Sequence, residues 1–182
     1  MTIMVPLAAG FEEIEAVSNI DVLRRAGLKV ITVSLNDELM VNGAHNIMFQ
    51  ADGKITDIGI DELDGIVLPG GMPGAVNLRD NGNVINIVKK LNDKNKLVAA
   101  ICAAPIVLEK AGVIQSKNVT SYPGFEDELR AANYIPDMVV QDGNIITGRG
   151  PGAALEFALT IVKYLLDDEI SDKLKKDMIV KD

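Results

Sequence analysis

Short apolar runs and longer amphipathic stretches alternate along the chain, and glycine, proline or a polar cluster breaks it at most junctions. Met1 to Leu7 has the apolar character of an inner strand. Ala8-Ala9-Gly10 ends it, and Phe11-Glu12-Glu13-Ile14-Glu15 opens a helix predicted to run to about Ala26 and to stop at Gly27. Lys29 to Leu35 alternates and is rich in β-branched residues, which predicts a second strand before the polar turn Asn36-Asp37-Glu38. Met40 to Ile60 is less regular; His45 to Phe49 and their neighbours read as a short hairpin at the sheet edge. Ile66-Val67-Leu68 and Leu97 to Ile101 are buried strands, with an amphipathic helix from Asn83 to Leu91 between them.

The second half continues in the same way. A helix is predicted over Ile106 to Ala111 with Gly112 as its stop, then a short strand Asn118-Val119-Thr120 and a helix over Phe125 to Ala132. Met138 to Gln141 and Asn144 to Thr147 flank Asp142-Gly143, a strong hairpin signal. Helices over Ala153 to Leu166 and Asp167 to Lys176 follow, with Met178-Ile179-Val180 packing back. Strands alternating with helices predict a parallel α/β sandwich, and such a sheet collects its site at the C-terminal ends of its strands. The 182 residues suit one domain, 1–182.

Composition narrows the classes of function. A formal net charge of −8 gives no attraction to nucleic acid or to anionic lipid. The first residues lack a basic segment, and no apolar run approaches the roughly 18 residues of a membrane span, so neither signal peptide nor membrane helix is expected. One cysteine cannot close an internal disulfide, which points to a reducing compartment, the cytoplasm. One histidine and one cysteine do not make a zinc site.

The candidate chemistry lies at three strand ends. Leu97 to Ile101 ends on Cys102, and Ala103-Ala104-Pro105 leads straight into a helix. A thiol there is either a small core residue or a reactive group whose pKa the helix N-terminus lowers. Pro69-Gly70-Gly71-Met72-Pro73-Gly74 follows the strand Ile66-Val67-Leu68, and its backbone can approach a ligand closely, but it matches no dinucleotide or P-loop pattern. At 100° per residue Glu15 shares a helix face with Asn19, Val22, Leu23 and Ala26. A carboxyl on that apolar face must be paired or protonated, so its pKa should be raised. Glu13 falls on the opposite face, and Glu12 and Glu13 read as surface carboxylates. Amides at Gly71 and Ala103 could hold an oxyanion, and Glu15 could carry the proton. His45, far away in sequence, reads as a surface residue.

GFEEIEAV at Gly10 to Val17, LPGGMPGAVNL at Leu68 to Leu78, AAICAAP at Ala99 to Pro105 and GRGPGAALEFAL at Gly148 to Leu159 resemble the ThiJ/PfpI superfamily, in the branch of the parkinsonism-associated protein deglycase. The resemblance implies a flavodoxin-like three-layer α/β/α sandwich with a mostly parallel sheet, assembled as a homodimer. It also implies Cys102 as nucleophile or oxidisable thiol on a strained elbow, Glu15 as a protonated carboxyl against the sulfur, and Gly71 and Ala103 as the oxyanion hole. Where better-studied members can carry a histidine, this chain has Tyr122, so a Cys-His pair is not available there; His45 belongs to the rim. The implied activity is cofactor-free and cysteine-dependent, on 2-oxoaldehydes (glyoxalase) or their protein adducts (deglycase). The alternative is a non-enzymatic oxidative-stress sensor or chaperone-like dimer built on Cys102.

Overall fold

Four strands of this chain are apolar on both edges of their pleat, so each needs cover on both faces. In the computed structural model, which describes residues 1–181, these strands lie at the centre of the main sheet. The order of elements is β1 (Thr2–Leu7), α1 (Glu13–Arg25), β2 (Lys29–Ser34), β3 (Met40–Asn42), β4 (Met48–Gln50), β5 (Gly53–Lys54), β6 (Gly65–Leu68), α2 (Gly74–Asp80), α3 (Gly82–Asp93) and β7 (Leu97–Ile101). Then come α4 (Pro105–Ala111), β8 (Asn118–Val119), β9 (Asn133–Tyr134), β10 (Val139–Asp142), β11 (Ile145–Gly148), α5 (Ala154–Leu165) and α6 (Asp168–Asp177).

The main sheet runs β10-β11-β7-β6-β1-β2-β5. Every neighbouring pair is parallel except the β10–β11 hairpin. Strand alternation divides the core. Ile3, Val5, Val67, Ala99 and Ile101 pack with α1 and α5, whereas Met4, Ile66, Leu68, Val98 and Ala100 pack with α2, α3 and α4. The result is the expected α/β/α sandwich, and Cys102, just past β7, touches both halves of the core.

Three local expectations change. The hairpin β3–β4 forms, but as a separate two-stranded sheet, and the main-sheet edge is β5 instead. β8 likewise leaves the main sheet and pairs in parallel with β9. Phe125 to Ala132 is not a helix: only Glu126–Glu128 makes a 3-10 turn, because the chain must extend at once to place Asn133 N–H on the Lys117 carbonyl at 2.8 Å and Ile135 N–H on that of Val119 at 2.8 Å. α2 was not foreseen, its first residues being hidden in the glycine-rich stretch.

The sheet grows from β1 in two directions, to β2 on one side and to β6, β7 and β11 on the other. The switch point is the crevice between β1 and β6, where ligands of open α/β sheets bind. The turns after β1 and β6 meet there: Gly74 N–H donates to the Gly10 carbonyl at 3.2 Å, and Glu12 N–H to that of Gly70 at 2.9 Å.

Candidate active site

Cys102 adopts φ +64°, the left-handed region that a side chain occupies at a cost of about 1–2 kcal/mol. Its backbone is held from two sides. Cys102 N–H donates to the Gly148 carbonyl at 2.9 Å, and its own carbonyl accepts from Tyr122 N–H at 2.9 Å. The strand therefore ends in a sharp elbow that lifts the sulfur out of the sheet, half-buried, before Pro105 starts α4.

Glu15 is fully buried in the first turn of α1. Oε2 accepts from Gly70 N–H at 2.8 Å, while Oε1 is buried with no conventional donor. The carboxyl lies against the Cys102 thiol as its hydrogen-bond partner. Burial pushes Glu15 up to about 7, against the pull of the Gly70 amide. This agrees with its place on the apolar face.

The thiol departs from expectation. Burial, and then the Glu15 charge, push Cys102 up to about 12, although the amides of Gly71 and Ala103 act at the sulfur in the opposite sense. The two groups compete for one proton. A thiolate is favoured here only when Glu15 is the protonated partner, since the carboxyl then donates to sulfur instead of repelling it.

Glycine is required between these groups. A Cβ on Gly70 would stand 2.7 Å from the Cys102 Cβ and 2.8 Å from Glu15 Oε2. Gly71 has φ +86°, and a Cβ there would stand 2.6 Å from the Gly10 carbonyl oxygen. Gly70, whose amide fixes Glu15, was not singled out from the sequence; a glycine pair directly after a buried strand was the available signal.

The remaining residues line a cleft of about 450 Å³ that opens over Cys102, with Ile14, His45, Gly71, Ala103 and Tyr122 on its walls. Tyr122 also walls a neighbouring pocket of about 260 Å³ with Met138, Arg149 and Pro151. His45 is at the mouth and exposed, as expected, but it is not free: Nδ1 lies 2.9 Å from Glu13 Oε2 and 3.6 Å from Glu12 Oε2. Glu12 and Glu13 are thus not surface carboxylates. Both are buried, because the turn between β3 and β4 folds over the start of α1. Glu13 Oε1 accepts from His45 N–H at 2.7 Å and Ile47 N–H at 3.4 Å, and these amides add to the main effect, the His45 imidazole on Oε2, in holding its pKa below the ordinary glutamate value despite burial. The contact of the imidazole with Glu13, and then the charges of Glu12 and Glu13, raise the pKa of His45.

Residues 1–164 match the model of the DJ-1/PfpI family. The Parkinson disease protein 7 homolog of Danio rerio is 38% identical, the match covering 98% of this chain and 97% of the relative. A deglycase of Pyrococcus abyssi is 33% identical over 91% of this chain and 99% of its own. Oxidised DJ-1 of Toxoplasma gondii superposes with a TM-score of 0.92 at 36% identity, covering 98% of this chain and 97% of that one. Some relatives are longer: the chain spans 47% of the DJ-1 homolog A of Arabidopsis thaliana.

Proposed function

The chain belongs to the DJ-1/PfpI family, and we propose that within it this protein is a cofactor-free enzyme that uses Cys102 to convert 2-oxoaldehydes, or their adducts on proteins, to 2-hydroxy acids. One observation carries the reading: a buried carboxyl with a pKa of about 7 lies against a thiol on a strained elbow. A carboxyl so poised can give and take a proton near neutral pH.

In the proposed cycle the Cys102 thiol passes its proton to the Glu15 carboxylate, the sulfur adds to the aldehyde carbon, and the C=O electron pair moves to oxygen. The Gly71 and Ala103 amides hold that oxygen while Glu15 supplies its proton, giving a hemithioacetal. Glu15, now a carboxylate, removes the proton from the former aldehyde carbon. The resulting enediol takes a proton back on the neighbouring carbon, which leaves a 2-hydroxy thioester. Water cleaves the thioester, releasing the 2-hydroxy acid and restoring the thiol. The sum is oxoaldehyde plus water, with no outside oxidant or reductant. A peptidase reading is disfavoured, because Tyr122 stands where relatives can carry the histidine that would protonate an amine leaving group.

Purified protein is expected to turn methylglyoxal into lactate. Cys102→Ser should abolish this, and Glu15→Gln and Glu15→Ala should each lower it by a large factor. If both Glu15 variants turned over like the parent, the proton role would be wrong.

A second reading, a redox sensor, is favoured by the Glu15 carboxyl that meets the thiol and whose buried Oε1 has no donor among the described residues. A protonated carboxyl there could hold an oxygen of a Cys102 sulfinate. It predicts a gain of two oxygens at Cys102 after mild peroxide, seen by mass spectrometry, with no lactate formed by the reduced protein. We also propose a homodimer, as the resemblance implies, and a cytoplasmic location. Among the described residues no helix is long and apolar enough to cross a membrane.

A further inference from the structure

The only histidine of the chain has been brought by the fold to two buried carboxylates. His45 comes from the β3–β4 turn, and Glu12 and Glu13 from the start of α1. The sequence argued against zinc for want of ligands, and folding supplies them from one chain. Nδ1 of His45, Oε2 of Glu13 and Oε2 of Glu12 are separated by 2.9 Å and 3.6 Å from the imidazole, and the ligand atoms all lie within 4.8 Å of one another. An ion with bonds of about 2.1 Å and ligand angles between octahedral and tetrahedral needs its donors roughly 3.0–3.4 Å apart. Small side-chain movements therefore convert this arrangement into a coordination sphere.

Two further features separate the cluster from an ordinary acidic patch. Glu13 has a fixed outer shell: Oε1 is held by the His45 and Ile47 amides, which leaves Oε2 turned to the imidazole. A Cβ on Gly43 would overlap that carboxyl, so the turn closes on it without slack. Outer-shell bonds of this kind orient metal ligands. The Glu12 carbonyl accepts from Ala16 N–H at 3.0 Å, and its side chain, 11% exposed, stands at the edge of the cluster. Among the described residues its ionic partner is the same Nδ1, at 3.6 Å, that Glu13 already holds at 2.9 Å. Glu12 also lines the open cleft, so a cation arriving there can reach its carboxylate together with the Glu13–His45 pair.

We propose that Glu12, Glu13 and His45 form a binding site for a divalent transition-metal ion at the mouth of the Cys102 cleft. One imidazole and two carboxylates favour Zn²⁺ and its neighbours over Mg²⁺ or Ca²⁺, which take oxygen ligands alone. The ion takes the place of the direct Nδ1–Glu13 contact, and it faces the cleft that His45, Glu12 and Cys102 all line. The site is independent of the Cys102–Glu15 chemistry and stands or falls separately.

The test is a Zn²⁺ titration of the full, untagged chain, followed by calorimetry and by NMR of the imidazole ring, whose resonances are unambiguous because the chain has one histidine. One equivalent should move the ring resonances. Glu12→Gln and His45→Gln should each weaken binding at least about tenfold, the lower end of what even outer-shell losses cost. Cys102→Ser should bind within about threefold of the parent; a larger loss with the ring shift intact would keep the site and add the thiol as a fourth ligand. Circular dichroism of the variants guards against misfolding. Ring resonances that stay still, or Zn²⁺ affinity unchanged in both Glu12→Gln and His45→Gln, would overturn the proposal. So would binding lost in Cys102→Ser without any ring shift, since the thiol alone would then hold the ion.

Discussion

Glu15 shows how one carboxyl couples fold to chemistry. Its pKa rises from 4.5 to about 7 on folding, so the folded state binds its proton more tightly than the unfolded chain. By linkage this contribution to stability is complete below about pH 4.5 and is lost as pH rises through about 7. At about 1.4 kcal/mol per unit the loss is on the order of 3 kcal/mol. Glu15→Gln has no such titration. Urea midpoints of parent and variant measured from pH 5 to pH 8 should therefore diverge in the variant's favour as pH rises, while its turnover of methylglyoxal stays low. Parallel midpoints across that window would mean that Glu15 is ionised in the folded state even at acid pH. Tyr122 makes the opposite case. Its N–H holds the Cys102 carbonyl, but its ring is half-exposed, and replacement by phenylalanine leaves the amide in place. Tyr122→Phe should thus change methylglyoxal turnover by no more than about threefold, since Glu15 and not the phenol carries the proton. A loss as deep as that of Cys102→Ser would make the hydroxyl part of the chemistry.

At the scale of elements, the site is three turns pressed together at the switch point, and the glycines decide how close they come. Gly70→Ala should displace either Cys102 or Glu15, because the new Cβ stands under 3 Å from both. A cost of about 1–3 kcal/mol is typical of such overpacking. The expected signature is turnover lost out of proportion to the fall in thermal midpoint; a variant that keeps full activity would show that the two groups need not touch. The strands and most helices were legible in the sequence because burial on both sheet faces leaves uninterrupted apolar runs, and Gly27 and Gly112, both at positive φ, mark helix ends. Glu126, Asp127 and Glu128 imitate a helix start, but pairing of β9 with β8 overrides local preference. The Cys102–Glu15 pair could be anticipated from a strand end and a helical wheel. The Glu12–Glu13–His45 cluster could not, since a wheel sees one packing partner and the β3–β4 turn, some 30 residues on, covers the other side of α1. The raised thiol pKa was hidden for a related reason: a helix N-terminus is visible in sequence, whereas the burial of the sulfur that outweighs it comes from the packing of the fold.

The whole molecule leaves an apolar face uncovered beside the cleft. Ile14 and Val17 on α1 are 57% and 47% exposed, and Ile47 and Met48 at the adjoining hairpin are 60% and 58% exposed. These segments are contiguous, because Ile47 N–H donates to Glu13 and Gly43 N–H to the Ile47 carbonyl at 3.0 Å. Clusters of large exposed apolar residues mark association surfaces more often than isolated ones do. A net charge of −8 opposes close approach of two copies, so the pairing we propose must draw on this face rather than on general attraction. A two-fold dimer uses the same patch twice, and one substitution per chain therefore acts twice. Val17→Lys puts a charge on each side of such a contact while leaving the buried face of α1 untouched. Light scattering at micromolar concentration should report about twice the 19.5 kDa chain mass for the parent and a monomer for Val17→Lys. Because Ile14 also walls the cleft, loss of the dimer should raise KM for methylglyoxal more than it lowers kcat. A parent that is monomeric under these conditions removes the dimer; a Val17→Lys protein that remains dimeric moves the interface to another face.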